Sequence, residues 1–376
     1  MKKKKSILFI IFSIGNGGSG RALLNILNGT ELNNYRKVLY LYNNIDKNSF
    51  EDLIKIPHTK YSNNNNNVPF PFINRLITLY KIINKEKISV IFAFSSQGAL
   101  LATTLKLLGF YNKITIIVRL GSVFNQMFFN PGGSAIKRKI WEKITLFFTY
   151  RFVNKIVCTT NYMKDELISL SNKLESKIIV IKNYIDKKFV EDRIDESIDV
   201  PDKYFISVGR LEEEKNYQGI IEAFNSIKDT FNQNLIILGD GSLRSELLEA
   251  ISKYNLNNRV KLLGFVNNPY KYIAKADCLI LFSNFEGLPN VIIEAFICKT
   301  PVIVSNYPGV NDIITSGKNG MVVEAGNTYR LATAMETLIS DARLRERFVK
   351  NGYEKSFDFT SSISKYEMLI KSYSGS

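Results

Sequence analysis

One repeated alternation limits what this chain can fold into. Short apolar runs of buried-strand type alternate with helical patterns, in two successive series. The first series is Ile7–Phe12, Val38–Leu41, Val90–Phe94, Ile114–Val118, Ile156–Cys158 and Ile178–Ile181. The second is Phe205–Val208, Leu235–Leu238, Val260–Leu262, Cys278–Leu281, Pro301–Val304 and Met321–Val323. Runs apolar on both faces suit parallel strands covered by helices on each side. Helical patterns near Phe72–Ile83, Ala99–Leu108, Gly219–Ile227 and Val291–Cys298 supply such covers. The pattern predicts an α/β protein of two doubly wound, Rossmann-like domains. Such sheets bind ligands beyond the carboxyl ends of their strands, and two domains facing each other make a cleft.

The expected boundaries are a first domain over 1–186, a charged linker over 187–202 that holds Pro201, and a second domain over 203–355. Residues 356–376 form a last helical segment, expected to pack back on the first domain. Ser62 to Asn67, a serine and five asparagines, reads as a loop.

Charge divides along the same line. The chain of 376 residues carries 50 Lys+Arg and 35 Asp+Glu. Residues 1–190 hold 29 basic and 10 acidic groups, and residues 191–376 hold 21 and 25. The two halves are therefore expected to face different partners. Scarce residues exclude whole classes. Cys158, Cys278 and Cys298 lie in apolar surroundings with no Cys-x-x-Cys, which suits buried, reduced thiols in a cytosolic protein. His58, the sole histidine, sits in a polar stretch read as a loop, so a His-rich zinc site cannot be built. No Asp-x-Asp pair is present to hold a metal-bound nucleotide. Lys2 to Lys5 followed by Ile7–Phe12 imitates a secretory signal, but glycines and a helix follow, so a buried first strand is the better reading. A membrane span would need about 20 apolar residues.

Three loops carry chemistry. Gly15, Gly17 and Gly20 match G-x-G-x-x-G after the first strand, and Gly17-Gly18 would let a phosphate or sugar approach backbone N–H groups at a helix start. The acid that a dinucleotide fold places about 20 residues on is missing, so a plain tight turn competes with this reading. In the second domain, Gly209-Arg210-Leu211 follows a buried strand and Lys215-Asn216 precedes a helix. Both cations can point at a diphosphate, or can pair locally with Glu212–Glu214. The most informative segment runs from Ser283 to Ala295. Glu286 stands in a loop with Gly287 and Leu288, then Pro289 and Asn290 open a helix. Pro289 suits the first helical turn. Glu294 stands among Val291, Ile292, Ile293, Ala295 and Phe296, where a carboxylate is costly without a partner. A ribose diol would satisfy it, as would nearby backbone.

In order and spacing these segments resemble the retaining glycosyltransferases of family 4, which have the GT-B fold. The resemblance runs from Gly17-Gly18 through Asn183–Asp186, Gly209–Leu211, Lys215-Asn216, Leu238–Gly241, Gly264–Val266 and Glu286–Ala295 to Pro308-Gly309. It implies roles for particular residues. Arg210 and Lys215 would bind the diphosphate of a nucleotide sugar, and Glu294 would hold ribose hydroxyls. Glu286 with Gly287, Leu288 and Asn290 would hold the donor sugar, and Phe265 and Val266 would lie near the base. Gly17, Gly18 and Gly209 complete the donor surface. Where many relatives carry a histidine, this chain has Ser95-Ser96 and Arg119, so Ser96 and Arg119 are candidate contacts to acceptor or phosphate.

The resemblance implies an enzyme that needs neither metal nor cofactor. Its donor would be a UDP-hexose or UDP-N-acetylhexosamine, and its acceptor a saccharide on undecaprenyl diphosphate. The pathway would be bacterial surface polysaccharide assembly at the inner face of the plasma membrane. Residues 136–151 alternate apolar and basic residues and include Trp141, a composition that suits either an amphipathic helix on anionic lipid or a core-facing helix with a basic outer side. Two alternatives are a dinucleotide-dependent oxidoreductase, from the glycine loop alone, and a nucleic-acid binder, from the basic half. No recognised nucleic-acid motif supports the latter, so nucleic acid is not an expected partner.

Overall fold

The computed structural model describes residues 5–12, 18–30, 35–41, 59–63, 71–111, 113–124, 140–141 and 143–373. Two compact units result. The first comprises residues 1–184 with 361–376, and the second residues 185–360.

The first unit holds a seven-stranded parallel sheet. Its strands are β1 (Lys5–Ile11), β2 (Tyr35–Leu41), β3 (Thr59–Asn63), β4 (Ile88–Ala93), β5 (Thr115–Arg119), β6 (Lys155–Cys158) and β7 (Ile178–Val180), in the order β3-β2-β1-β4-β5-β6-β7. Alternation along β1 feeds two cores. Leu8 and Ile10 pack on one side, with Leu79 and Ile83 of the helix Pro71–Glu86 and with Ala99 and Leu105 of the helix Ser96–Leu107. Ile7, Phe9 and Ile11 pack on the other, with Leu23 and Ile26 of the helix Gly18–Gly29. That second side also receives Tyr366, Leu369 and Ile370 of the C-terminal helix Ile363–Tyr373.

The second unit repeats the plan with six parallel strands. They are β8 (Tyr204–Val208), β9 (Asn234–Leu238), β10 (Val260–Gly264), β11 (Cys278–Leu281), β12 (Val302–Ser305) and β13 (Met321–Val323), in the order β10-β9-β8-β11-β12-β13. In both sheets the strand order reverses beside the first strand, between β1 and β4 and between β8 and β11. A doubly wound sheet leaves a crevice at that point.

Three features differ from the sequence expectation. β3 was expected to be loop, and it takes in Ser62 and Asn63. It pairs on one edge only, with β2, so it needs no apolar run. The segment 187–202 is no free linker. Asp186 caps a short helix, Lys187–Glu191, by accepting the Phe189 N–H at 3.0 Å. Val190 is buried in the second unit's core, and Ile194, Ile198 and Val200 pack against it. The helix Ala342–Thr360 stays with the second unit, so the chain re-enters the first unit at Ser361 rather than at 356. His58 and Asn64–Asn67 lie outside the described residues. Among the described residues no helix is long and apolar enough to cross a membrane.

Candidate functional site

The second unit gathers charged side chains where its strand order reverses. β8 ends at Val208, and Gly209 donates its N–H to Leu238 O at 3.0 Å. The loop then passes over Gly239 and Gly241. A Cβ on Gly239 would stand 1.8 Å from Gly209 O, and one on Gly241 would stand 2.5 Å from Leu211 O. Gly239 also has φ +135°, a conformation open to glycine alone. The Leu238–Gly241 segment thus sets the path of the backbone that carries Arg210. Asn216 ends the loop in the left-handed conformation (φ 49°), and its side chain accepts the Gly219 N–H to cap the helix Tyr217–Ile227. That cap holds Lys215 at the entrance to the helix.

Two carboxylates meet these cations. Arg210 Nη2 lies 2.8 Å from Glu214 Oε1, and its side chain is 60% exposed. Lys215 Nζ donates to Glu286 Oε1, with side chains only 16% and 12% exposed. Ser283 Oγ donates to the same carboxylate oxygen at 2.7 Å, and Asn284 N–H donates to Glu214 O at 2.8 Å. The loop after β11 is therefore stitched to the loop after β8. The structure brings Arg210, Lys215 and Glu286 together from positions up to 76 residues apart in sequence.

Glu294 lies in the helix Asn290–Ile297 and is 5% exposed. Leu288 is buried, and Asn290 is half-buried at the first turn. Pro289 precedes the helix as its cap, in an extended conformation (ψ 111°), rather than sitting in the first turn. Phe265 is exposed just beyond β10, and Val266 packs partly against the core. Gly264 O accepts the Gly239 N–H at 2.8 Å, which ties this segment to the loop beneath Arg210.

Sequence reasoning did not single out Tyr217 and Tyr307. Tyr217 is fully buried with its hydroxyl against Gly209, where an added Cβ would lie 3.0 Å away. Burial pushes its phenol pKa up, and Glu286 adds to the rise. Tyr307, in the loop after β12, is equally buried, and its hydroxyl has no hydrogen-bond partner among the described residues. Burial first, then Glu286, raises its pKa. The available signals were a tyrosine opening the helix after β8 and another two residues past the end of β12.

In the first unit Gly17 lies outside the described residues. Gly18 opens the helix Gly18–Gly29, and nothing stands within 4 Å of an added Cβ there. Ser96 is the first residue of its helix, and its Oγ lies 2.8 Å from Tyr150 Oη. Arg119 is 2% exposed. Its guanidinium donates to Asn183 Oδ1 and, at 3.4 Å, to Tyr366 Oη, and lies over the Phe94 ring at 5.5 Å. It is a core cation that ties β5 to the segment after β7 and to the C-terminal helix, and its Nη1 has no hydrogen-bond partner among the described residues.

Comparison with known proteins finds similar chains of one kind. Residues 189–355 match the family model of the glycosyl transferases group 1. A Campylobacter jejuni enzyme is 28% identical over 345 residues, covering 90% of this chain and 91% of its own. It is an N-acetylgalactosamine-N,N'-diacetylbacillosaminyl-diphospho-undecaprenol 4-alpha-N-acetylgalactosaminyltransferase. A capsular polysaccharide biosynthesis glycosyltransferase of Staphylococcus aureus is 26% identical, covering 62% of this chain and 64% of its own. Anabaena HepE, solved in complex with UDP and glucose, superposes with a TM-score of 0.78 at 17% identity over 98% of this chain and 99% of that one.

Proposed function

This chain belongs to the group 1 glycosyltransferases and has the GT-B fold, and from that premise we propose its reaction. The enzyme transfers a sugar from a nucleotide diphosphate, with UDP as the carrier, to a saccharide acceptor on a lipid diphosphate. The product is a building block of bacterial surface polysaccharide. The observation that carries the reading is the placement of Arg210, Lys215 and Glu286 at the carboxyl ends of β8 and β11. The Campylobacter jejuni relative, a diphospho-undecaprenol glycosyltransferase, and the UDP-bound Anabaena structure support the acceptor and the carrier.

In the transition state the bond from the anomeric carbon to the phosphate oxygen breaks, and the leaving diphosphate gains negative charge. Arg210 and Lys215 stabilise that charge in place, without reorganising. Glu286 and the backbone of Gly287, Leu288 and Asn290 hold the sugar, Glu294 holds the ribose, and Phe265 and Val266 flank the base. The acceptor hydroxyl attacks from the face the phosphate leaves, and its proton passes to the departing phosphate oxygen. Configuration is retained. The two cations supply the stabilisation that a metal gives elsewhere, so transfer runs without one. The enzyme works on the cytoplasmic side of the plasma membrane, in peripheral contact with it.

Arg210→Ala and Lys215→Ala are expected to keep the fold while each loses about 3 kcal/mol of transition-state stabilisation, or roughly a hundredfold in rate. Near-normal turnover in both variants, measured by release of the nucleoside diphosphate, would sink the assignment.

A further inference from the structure

The helix Pro71–Glu86 carries a second apolar stripe, about a quarter-turn round from its buried one. Leu79 and Ile83 enter the core of the first unit, while Ile73, Ile77 and Tyr80 face solvent. A surface helix ordinarily turns a polar face outward. This apolar face does not stop at the helix. The Tyr80 ring meets Phe110 edge-on at 5.3 Å, and Phe110 lies with Leu108 at the exposed end of the neighbouring helix Ser96–Leu107. On the far side of that neighbour packs the π-helical turn Thr145–Tyr150, which exposes Phe147 and Phe148, with Trp141 and Ile140 exposed just before it. Three elements that pack in succession on one face of the sheet therefore all expose large apolar side chains.

The charges around them are of one sign. Residues 71–160 contain thirteen Lys or Arg and two Glu. Of these, Glu86 is buried against Arg36 at 2.7 Å, and Glu142 lies outside the described residues. Lys81, Lys85, Lys113, Lys143 and Arg151 are exposed among or beside the apolar groups. The Arg151 guanidinium lies over the Phe147 ring at 5.5 Å. Lys177 donates to Val153 O at 3.0 Å, and its pKa is lowered by burial and then by Lys106 and Arg151, so three cations crowd one corner of the face. A second copy of this chain would bring the same positive charges against these. An anionic bilayer brings opposite charges at the rim and an apolar layer at the centre, and interfacial Tyr and Trp suit that boundary.

We infer that this three-element face, centred on Ile73, Ile77 and Tyr80, is the surface by which the first unit docks on an anionic membrane. The inference deepens the proposed membrane contact and rests on that reading. It places the attachment on helix 71–86, with the segment around Trp141 as one edge of a wider surface.

Trp141 is the chain's single tryptophan and is half exposed, so it reports insertion without a label. The full chain is mixed with vesicles of phosphatidylcholine, with and without phosphatidylglycerol, at low and high salt. Flotation and the Trp141 emission maximum are recorded. The parent floats with phosphatidylglycerol at low salt, its emission moves to the blue, and high salt weakens both. Ile73→Asn with Ile77→Asn lowers partitioning by about tenfold or more, because each change removes apolar surface from the lipid contact. Lys81→Gln with Lys85→Gln lowers it about fivefold per charge at low salt only. All four positions are exposed, so the melting temperature stays with the parent's. Transfer to a short-chain, water-soluble acceptor is followed in parallel and stays intact in both variants. Lack of flotation by the parent, or undiminished flotation by the Ile73/Ile77 variant, overturns the inference. So does a dimer in sedimentation that this variant dissolves. Flotation as described with no transfer by the parent leaves the docking face standing and fails the glycosyl-transfer reading instead.

Discussion

Replacing Lys215 by methionine tests whether the pairing across the two loops holds the site together. Lys215 and Glu286 are 16% and 12% exposed, so removing the cation leaves a carboxylate with little water and one hydroxyl donor, Ser283. Breaking a fully buried pair costs about 3–5 kcal/mol. The residual exposure and the Ser283 bond bring the expectation down to about 2–3 kcal/mol. For a unit of this size that lowers the melting temperature by about 4–12 °C. Adding Glu286→Gln removes the orphaned charge while its amide oxygen still accepts from Ser283, so more than half of the loss returns. The resulting coupling is about 1.5 kcal/mol or more. Scanning calorimetry on the parent, both single variants and the double variant completes the cycle. Both Lys215 variants stay inactive whatever their stability, which separates the cation's chemical role from its structural one. A Lys215→Met protein that melts with the parent, or a Glu286→Gln change that restores nothing, would refute the reasoning.

Three further outcomes follow from single residues. Gly239→Ala drives a Cβ into Gly209 O and forbids φ +135°, so it costs about 3 kcal/mol or more in thermal stability and weakens UDP binding, while Gly317→Ala, with φ +76° and open space around it, costs only about 1 kcal/mol. Tyr307→Phe deletes a buried hydroxyl that has no partner among the described residues, so the ligand-free protein gains up to about 1 kcal/mol, and a loss of that size in urea unfolding would expose a missed bond. Burial pushes the Cys158 thiol up to about 12 and raises Cys278 and Cys298 as well, so native thiols resist alkylation at neutral pH and react once unfolded. Their raised pKa values hold stability in full below about pH 8.5 and lose it as pH rises toward 12, because only the unfolded thiols ionise in that window, and an alkaline denaturation curve flat over it would contradict the burial.

The strands were legible because each buried one is a short, nearly continuous apolar run, and a parallel sheet covered on both sides demands such runs. Thr59–Asn63 escaped because an edge strand needs backbone partners more than apolar side chains. The site was legible residue by residue and silent on pairing. Arg210, Lys215 and Glu286 could be picked out from their places after strands. That Lys215 meets Glu286 across 71 residues, with Ser283 on the same oxygen, is decided only when β8 and β11 lie side by side. The surroundings of Arg119 were silent for the same reason. Its environment depends on Tyr366, which lies 247 residues away on the C-terminal helix. A cation at a strand's end looks exposed until a distant helix covers it.

Net charge and local charge give opposite answers about where an anionic donor binds, and the geometry explains why. The half with 25 acidic and 21 basic groups holds the two cations placed for a diphosphate. A long-range field acts over roughly a Debye length and steers encounter, and at physiological salt it is largely screened beyond about 8 Å. Chemistry at a leaving oxygen depends on donors within hydrogen-bond reach, held before the ligand arrives. Glu214 and Glu286 keep Arg210 and Lys215 at fixed positions in the ligand-free protein, and the glycines beneath them fix the backbone. The acids that make this half negative are thus partly the groups that hold its cations in place. Among the described residues of the basic half, Lys81, Lys85, Lys113, Lys143 and Arg151 are exposed among or beside the apolar groups, where a field acting over many charges matters more than any single contact.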